Sequence, residues 1–411
     1  MQKSENENTK SALETEIIEL LIRLVKARSY PGIPEQEKAV VLELADYLSS
    51  YGIASEITEV CDGRPNLVAS IKGSNPGPHL LLCGHTDTVP PNVRSPIDLF
   101  APEIKEGRLF GRGAADMKGA LAAMAGALVE LETTGKLKAG KVTFGAVIDE
   151  ETQTLGSEHL VKSGFQADAA IIGEPTDNHI DIGHKGLEWL VIEFEGKAAH
   201  GGTPQSGINA VSAAAQFIHL VENNLVPELR KRRDPILGQP AVNIGTIRGG
   251  DQPSTVAAHC EVKLDRRWVN TETIEQVFED FETLLQKVRS DRPGLKTRVS
   301  RVPESMATML HGPLTIDPRH PVVLAAQSAL RDFQQPAEQL GVFPAWTDAA
   351  LISREAKIPS IVWGPGELNF AHSPEENIKL DDVLLAMKLY SKAALYFTGS
   401  LSFPSNEREG E

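Results

Sequence analysis

Four apolar runs in this chain of 411 residues break off at a side chain able to ligate a metal. They read "LLLCGHTD" at 80–87, "GAVIDEE" at 145–151, "AIIGEP" at 170–175 and "PSIVWGPGELNFAH" at 359–372. Helical patterns lie between them, the most pronounced being the Ala-rich "FGRGAADMKGALAAMAGALVELETTGK". Strands alternating with helices specify a layered α/β architecture. Sheets of that kind hold ligands beyond the carboxyl ends of their strands. The expected fold is therefore a mixed, mostly parallel sheet flanked by helices, with these four ends pointing the same way.

Two amphipathic helices, in "LETEIIELLIRLVKARSY" and "EQEKAVVLELADYLSSYG", should precede the first strands, and Gly52 suits the C-cap of the second. "NLVASIKG" and "HLLLCGHTDTV" then read as strands joined by the turn "GSNPGP". The middle of the chain changes character. "HKGLEWLVIEFEGKAAHGG", "AVNIGTIRGG" and "HCEVKLDRRW" alternate apolar and polar residues, the mark of an antiparallel sheet with one wet face. Two helices among them, "GINAVSAAAQFIHLVENNL" and "TETIEQVFEDFETLLQKVRS", give a βαββαβ, ferredoxin-like order. The length also exceeds the roughly 250–300 residues at which one core stops growing. We expect an α/β domain at 1–184 and 301–411, interrupted by an α+β domain at 185–300.

A formal charge of −15 argues against nucleic-acid or anionic-membrane partners, which need a basic face. The polar start "MQKSENENTK" has no apolar core of the secretory kind, and no apolar run approaches the roughly 20 residues that span a bilayer. Cys61, Cys83 and Cys260 are odd in number and widely separated, which suits a reduced, cytoplasmic protein with Cys83 and Cys260 as small core residues.

Each candidate ligand has an ordinary reading. His85 could be a structural histidine at a strand end; Asp87, two residues on, would share its face on a regular strand and could orient the ring. Asp116 could be a helix N-cap. Glu150 and Glu151 could be a solvated strand end, or could divide labour between metal binding and general base. Glu174, before Pro175, could sit in a simple turn, and His372 could be a surface loop residue. His200, in "GKAAHGGTPQSG", could be exposed or could approach another backbone closely. Together, His85, Asp116, Glu151, Glu174 and His372 offer two imidazoles and three carboxylates, a set suited to Zn²⁺ more than to Ca²⁺ or Mg²⁺. Five ligands exceed one tetrahedral site but suit two metals about 3.5–4 Å apart.

The ordered motifs "GHTDTVPP", "LFGRGAADMKGALAA", "DEETQTLGSEHL", "GEPT", "KGLEWLVIEFEGKAAHGGTPQSGINAV" and "AHSPEENI" resemble the M20 family of metallopeptidases and deacylases. The nearest likeness is to its acetylornithine deacetylase and succinyl-diaminopimelate desuccinylase branch, over about residues 12 to 398. The resemblance implies two Zn²⁺ per subunit, with Co²⁺ or Mn²⁺ as substitutes. Asp116 would bridge them, with His85 and Glu174 on one and Glu151 and His372 on the other. It further implies Glu150 as general base, Asp87 as the residue orienting His85, and a homodimer in which His200 of the inserted dimerisation domain reaches the partner's site to stabilise an oxyanion.

Substrate preference is less legible. Arg267 in "KLDRRWVNTE" matches the family's arginine, and could clamp a substrate carboxylate or form a surface ion pair. Gly364 and Gly366 in "WGPGELN" could offer N–H groups to the same carboxylate; Thr347 and Asp348 match a motif of unassigned role. Where many members read "KPNVVP", this chain reads "QPSTVAAH", so Ser254 stands at the usual asparagine. The leading expectation is hydrolysis of a small N-acylated amino acid or amine. The alternatives are a dipeptidase or aminoacylase, an N-formyl-aminopyrimidine deformylase and, remotely, a non-catalytic metal-dependent dimeric binder.

Overall fold

The computed structural model describes residues 2–91, 98–303 and 310–403, with side chains from residue 12 onward; Met1 and residues 404–411 at the ends of the first expected domain lie outside this range. The chain divides into two compact units. One comprises Met1–Gly183, Ile316–Phe343 and Thr347–Glu411; the other comprises His184–Thr315 and Pro344–Trp346. The second unit thus extends past residue 300, where the sequence placed its end.

The first unit is built on a mixed sheet. At its centre four strands stand side by side in the order Ala139–Val147, Asn75–His85, Ala169–Ile172 and Ser360–Val362, every pairing parallel. Their carboxyl ends consequently share one edge of the sheet. These are the four apolar runs of the sequence, and parallel strands covered on both faces are expected to be continuously apolar. Leu80 to Cys83 and Ala169 to Ile172 are buried accordingly. Antiparallel strands flank this core: Arg64–Lys72 lies against Ala139–Val147, with Ser55–Cys61 outside it. The expected turn at 73–78 is shorter than read, because the strand already begins at Asn75.

The helix Gly119–Thr134 is buried along nearly its whole length, as an Ala-rich helix without a polar face must be. It packs between the sheet and the helices Gln2–Lys26 and Leu380–Phe397. Gly126 permits the approach: a Cβ there would lie 2.3 Å from Ile17 Cδ1. Among the described residues, no helix is long and apolar enough to cross a membrane.

Three short strands escaped the sequence reading. Glu103–Lys105, Arg108–Phe110 and Asn377–Lys379 form a small antiparallel sheet with Arg108–Phe110 in the middle. At three residues each they carry no periodicity to read.

The second unit has the expected β-α-β-β-α-β order. Strands Gly186–Glu195, Ala241–Gly249, His259–Trp268 and Lys296–Arg301 form an antiparallel sheet in which the first two places are taken by Ala241–Gly249 and His259–Trp268, followed by Gly186–Glu195 and Lys296–Arg301. Helices Ala210–Leu220, capped by Asn209, and Ile274–Ser290, capped by Thr273, cover one face. Phe217 joins Phe194 at 5.7 Å and Phe281 at 6.3 Å in the core between them. Phe217→Ala should destabilise this unit by about 3–5 kcal/mol, because the cavity it leaves is walled by two other rings. Denaturant unfolding followed by circular dichroism measures this, and an unshifted transition would refute the packing account.

Candidate metal centre

All seven residues expected at the catalytic site of the first domain lie in the first unit, near the shared edge of the parallel strands. His85 ends its strand and is buried. Its Nδ1 donates to the Asp87 carbonyl at 3.0 Å, so Nε2 is the ring nitrogen that faces inward. Nε2 lies 3.1 Å from Asp116 Oδ1 and 3.9 Å from Glu174 Oε2. The other oxygen of Asp116, Oδ2, lies 3.2 Å from His372 Nε2, which is 3.0 Å from Glu151 Oε1. Two groups that could each hold a metal ion result, His85–Asp116–Glu174 and Asp116–Glu151–His372, with candidate donor atoms in each within 4.8 Å of one another. Asp116 belongs to both, one oxygen to each.

Two expectations about local structure need correction. Asp116 does not cap a helix: its backbone is extended at φ −122 and ψ 92, and the helix that follows begins at Gly119 without a side-chain cap. The carboxylate is thereby free to face two imidazoles. Asp87 does not share a strand face with His85, since the strand ends at His85. Its carboxylate lies 3.5 Å from His85 Nδ1 and makes closer contacts elsewhere. Oδ1 accepts the Glu150 N–H at 3.1 Å and Oδ2 the Glu151 N–H at 3.0 Å.

Glu150 and Glu151 lie in a turn beyond Val147, where the strand stops. Asn66 clasps both legs of that turn, accepting the Ile148 N–H at 3.1 Å and donating to the Gly156 carbonyl at 2.8 Å. Asp149 bends the chain in the left-handed region at φ 72, and its side chain is held by Arg64, which forks onto buried Glu37. These supports went unread because each contact joins residues far apart in sequence.

The electrostatics describe a pocket overloaded with acid. Burial raises Glu150 and Glu174 well above the ordinary carboxylate value, and neighbouring carboxylates add to the rise; Glu151 is raised by burial and by Asp116. Burial also works to raise Asp116, but hydrogen bonds to His372 and His85 outweigh it and hold the carboxyl low. His372 is pushed up to about 10 by Asp116 and Glu151. For His85 burial opposes the charge, yet Asp116 and Asp87 prevail and raise it. The donor set fits divalent cations. It combines two imidazoles with three carboxylates, and Glu174 Oε1 is buried with no hydrogen-bond partner among the described residues.

The remaining expected residues stand differently. The Gly364 N–H donates to Thr176 Oγ1 at 3.1 Å, so it is spent within the fold and is not available to a substrate carboxylate. Gly366 is buried at φ 96 and its carbonyl accepts the Asp177 N–H at 2.7 Å. In the second unit, Arg267 forks onto Asp265 at 2.8 and 3.0 Å, the ion-pair alternative. His200 is exposed, and its Nδ1 accepts the Gly202 N–H at 3.0 Å. The Ser254 carbonyl accepts the Gly201 N–H at 2.7 Å, so the segment that departs from the usual pattern runs alongside His200.

The family model for Peptidase family M20/M25/M40 matches residues 81–396. The chain belongs to that family. Membership makes it a metal-dependent amidohydrolase. A probable succinyl-diaminopimelate desuccinylase of Staphylococcus epidermidis is 31% identical over 405 residues, covering 92% of this chain and 96% of its own. An acetylornithine deacetylase of Proteus mirabilis is 32% identical, covering 84% of this chain and 86% of its own. Among solved structures, a tripeptidase from Staphylococcus aureus superposes with a TM-score of 0.78 at 22% identity, covering 93% of this chain and 98% of its own. A Bacillus subtilis protein described as a dinuclear metal binding peptidase from the M20 family gives 0.70 at 17% identity, covering 95% of this chain and 100% of its own.

Asp348 also lies in the first unit, buried at the start of the helix Asp348–Glu355 and accepting the Ser157 hydroxyl at 2.6 Å. Burial raises its carboxyl, the Ser157 bond offsets part of the rise, and the pKa moves from 3.8 up to about 7. The folded state then holds this proton more tightly than the unfolded chain does. Its contribution is fully present below the unfolded value and is lost as pH rises through the folded one. In metal-free protein, Asp348→Asn should therefore gain stability relative to the parent between about pH 4 and about pH 7, and keep that gain above it. Thermal midpoints of both proteins across that range test this, and a difference that stays constant with pH would contradict it.

Proposed function

We propose that the protein is a cytoplasmic, homodimeric, dinuclear zinc hydrolase that removes the acyl group from a small N-acylated amino acid or amine. The observation that carries this reading is the Asp116 carboxylate, with one oxygen toward His85 and the other toward His372. A carboxylate shared in this way suits a pair of cations. His85 and Glu174 would hold one, Glu151 and His372 the other, with Asp116 bridging. The names of the curated relatives favour N-acetylornithine-like and N-succinyl-diaminopimelate-like substrates. Three free cysteines suit a reducing compartment.

Zinc bound by these residues would acidify water and polarise the scissile carbonyl. Glu150 would take the proton from the attacking water and return it to the leaving amine nitrogen. Its backbone is pinned by Asp87, which holds the turn that carries the carboxylate. His200 would donate to the developing oxyanion. Because Gly202 donates to Nδ1, the neutral ring carries its proton on Nε2 and needs no net charge to act as a donor. In this reading the second unit is the dimerisation domain and His200 serves the partner's site. Arg267 would bind a substrate carboxylate by exchanging it for Asp265, and Gly366 would line the same region.

Hydrolysis of N-acetyl, N-succinyl and N-formyl amino acids and amines by the zinc-loaded protein, read as free amine, tests the substrate class; no turnover of any of them would reject it. Glu150→Gln should lower the rate by about 10²–10⁴-fold while leaving metal content at the parent level. Activity near the parent's would remove Glu150 as the base. Mixing His200→Ala with Glu150→Gln subunits should restore part of the activity, since one site of each heterodimer regains both groups. Proven heterodimers without recovery would confine His200 to its own subunit or to no catalytic role.

A further inference from the structure

The segments carrying Asp116 and His372 are joined by a fully buried ion pair that the mechanism above does not use. Arg112 and Glu376 are each 1% exposed, and Arg112 Nη1 lies 2.5 Å from Glu376 Oε2. The small antiparallel sheet creates the meeting. Phe110 pairs with Asn377, so the chain leaving one strand toward Arg112 runs beside the chain entering the other from Glu376. The Gly111 N–H donates to the Glu376 carbonyl at 2.9 Å and continues the pairing.

From there the two side chains reach in opposite directions. Glu376 Oε1 accepts the N–H groups of Ala115 and Asp116, each at 3.2 Å. Arg112 donates from Nη2 to the His372 carbonyl at 3.3 Å and from Nη1 to the Ser373 carbonyl at 3.4 Å. His372 stands at φ 61, in the left-handed region that a non-glycine residue rarely occupies without outside support. A buried ion pair is a poor source of stability, because desolvating both charges offsets most of their attraction and an apolar pair of similar size does as well. What an apolar pair could not do is bind the backbone of two separate loops directionally.

We propose that Arg112 and Glu376 are positioning residues that fix Asp116 and His372 relative to one another, and so set the affinity of the Asp116–Glu151–His372 half of the centre for its cation. The inference rests on the reading that these residues hold a metal. Partners of ligands at this remove typically change metal affinity by about 10–100-fold.

The test is titration of metal-stripped protein with Co²⁺, followed by visible absorption and by competition with a chelator, for the parent, Glu376→Gln and Arg112→Lys. Arg112→Lys keeps a cation beside Glu376 but cannot fork to the His372 carbonyl, so it supplies a folded variant if Glu376→Gln does not fold. The expected result is unequal weakening, with one Co²⁺ bound about 10–100-fold more weakly than in the parent and the other affected less, and with an altered spectrum; the metal-free midpoint should fall for Glu376→Gln, which leaves the buried Arg112 charge unpaired. Parent affinity and spectrum at both positions would overturn the proposal alone. Equal weakening of both positions in Glu376→Gln and in Arg112→Lys would also overturn it, by making the pair a structural one. A parent that binds no Co²⁺ would remove the reading of the centre, and this inference with it.

Discussion

The centre depends on one carboxylate facing two ways. Asp116 can present Oδ1 to His85 and Oδ2 to His372 only because its backbone leaves the helical path before Gly119. Had it capped the helix, one oxygen would have been taken up by the helix's own N–H groups. The motif therefore places its acid just ahead of the helix, in a segment held by other parts of the chain. The rest of the site follows from bringing two histidines, delivered from distant parts of the sequence, to opposite sides of that one group.

Burying so many acids carries a cost that the sheet alone could not support. Glu150, Glu151 and Glu174 are all shifted toward their neutral forms by burial, which is how a protein responds to carboxylates it cannot solvate. Divalent cations among them would reverse that tendency and convert repulsion into ligation. The parallel strands keep the conflict local. Toward their carboxyl ends the strands are apolar and buried, at residues 80–84, 144–147, 169–172 and 361–362, and the acids and histidines of the centre follow where each strand ends.

This arrangement explains what the sequence disclosed. An apolar run that stops at His, Asp or Glu is a local signal, and four such runs separated by helices imply one sheet edge; the alternating middle segment was readable for the same reason. The clasp of Asn66 on the turn at 148–156 was hidden, since neither leg of that turn advertises its partner. Glu376 and Arg112 carried no local signal either, since each finds its partner 264 residues away. Gly364 misled because a glycine near a site suggests a ligand-binding N–H, whereas Thr176 takes it up and the close approach to the Gly173 carbonyl accounts for the missing side chain. Local chemistry names the candidate groups, and tertiary contacts decide which of them are free.

The supports repeat one device. Asp87 follows His85 by two residues and accepts the successive N–H groups of Glu150 and Glu151. Glu376 follows His372 by four and accepts the successive N–H groups of Ala115 and Asp116. In both cases the segment that brings a histidine also brings a carboxylate outside the candidate ligand set, and that carboxylate grips the backbone of an acidic candidate ligand from another segment. A displacement of either histidine segment must then carry an acidic ligand with it. Rigidity of this kind comes from charge-assisted hydrogen bonds in a low-dielectric interior, where they are strong and directional. The sheet sets where the ligand-bearing turns begin, and these paired N–H contacts set how far the ligands stand from one another.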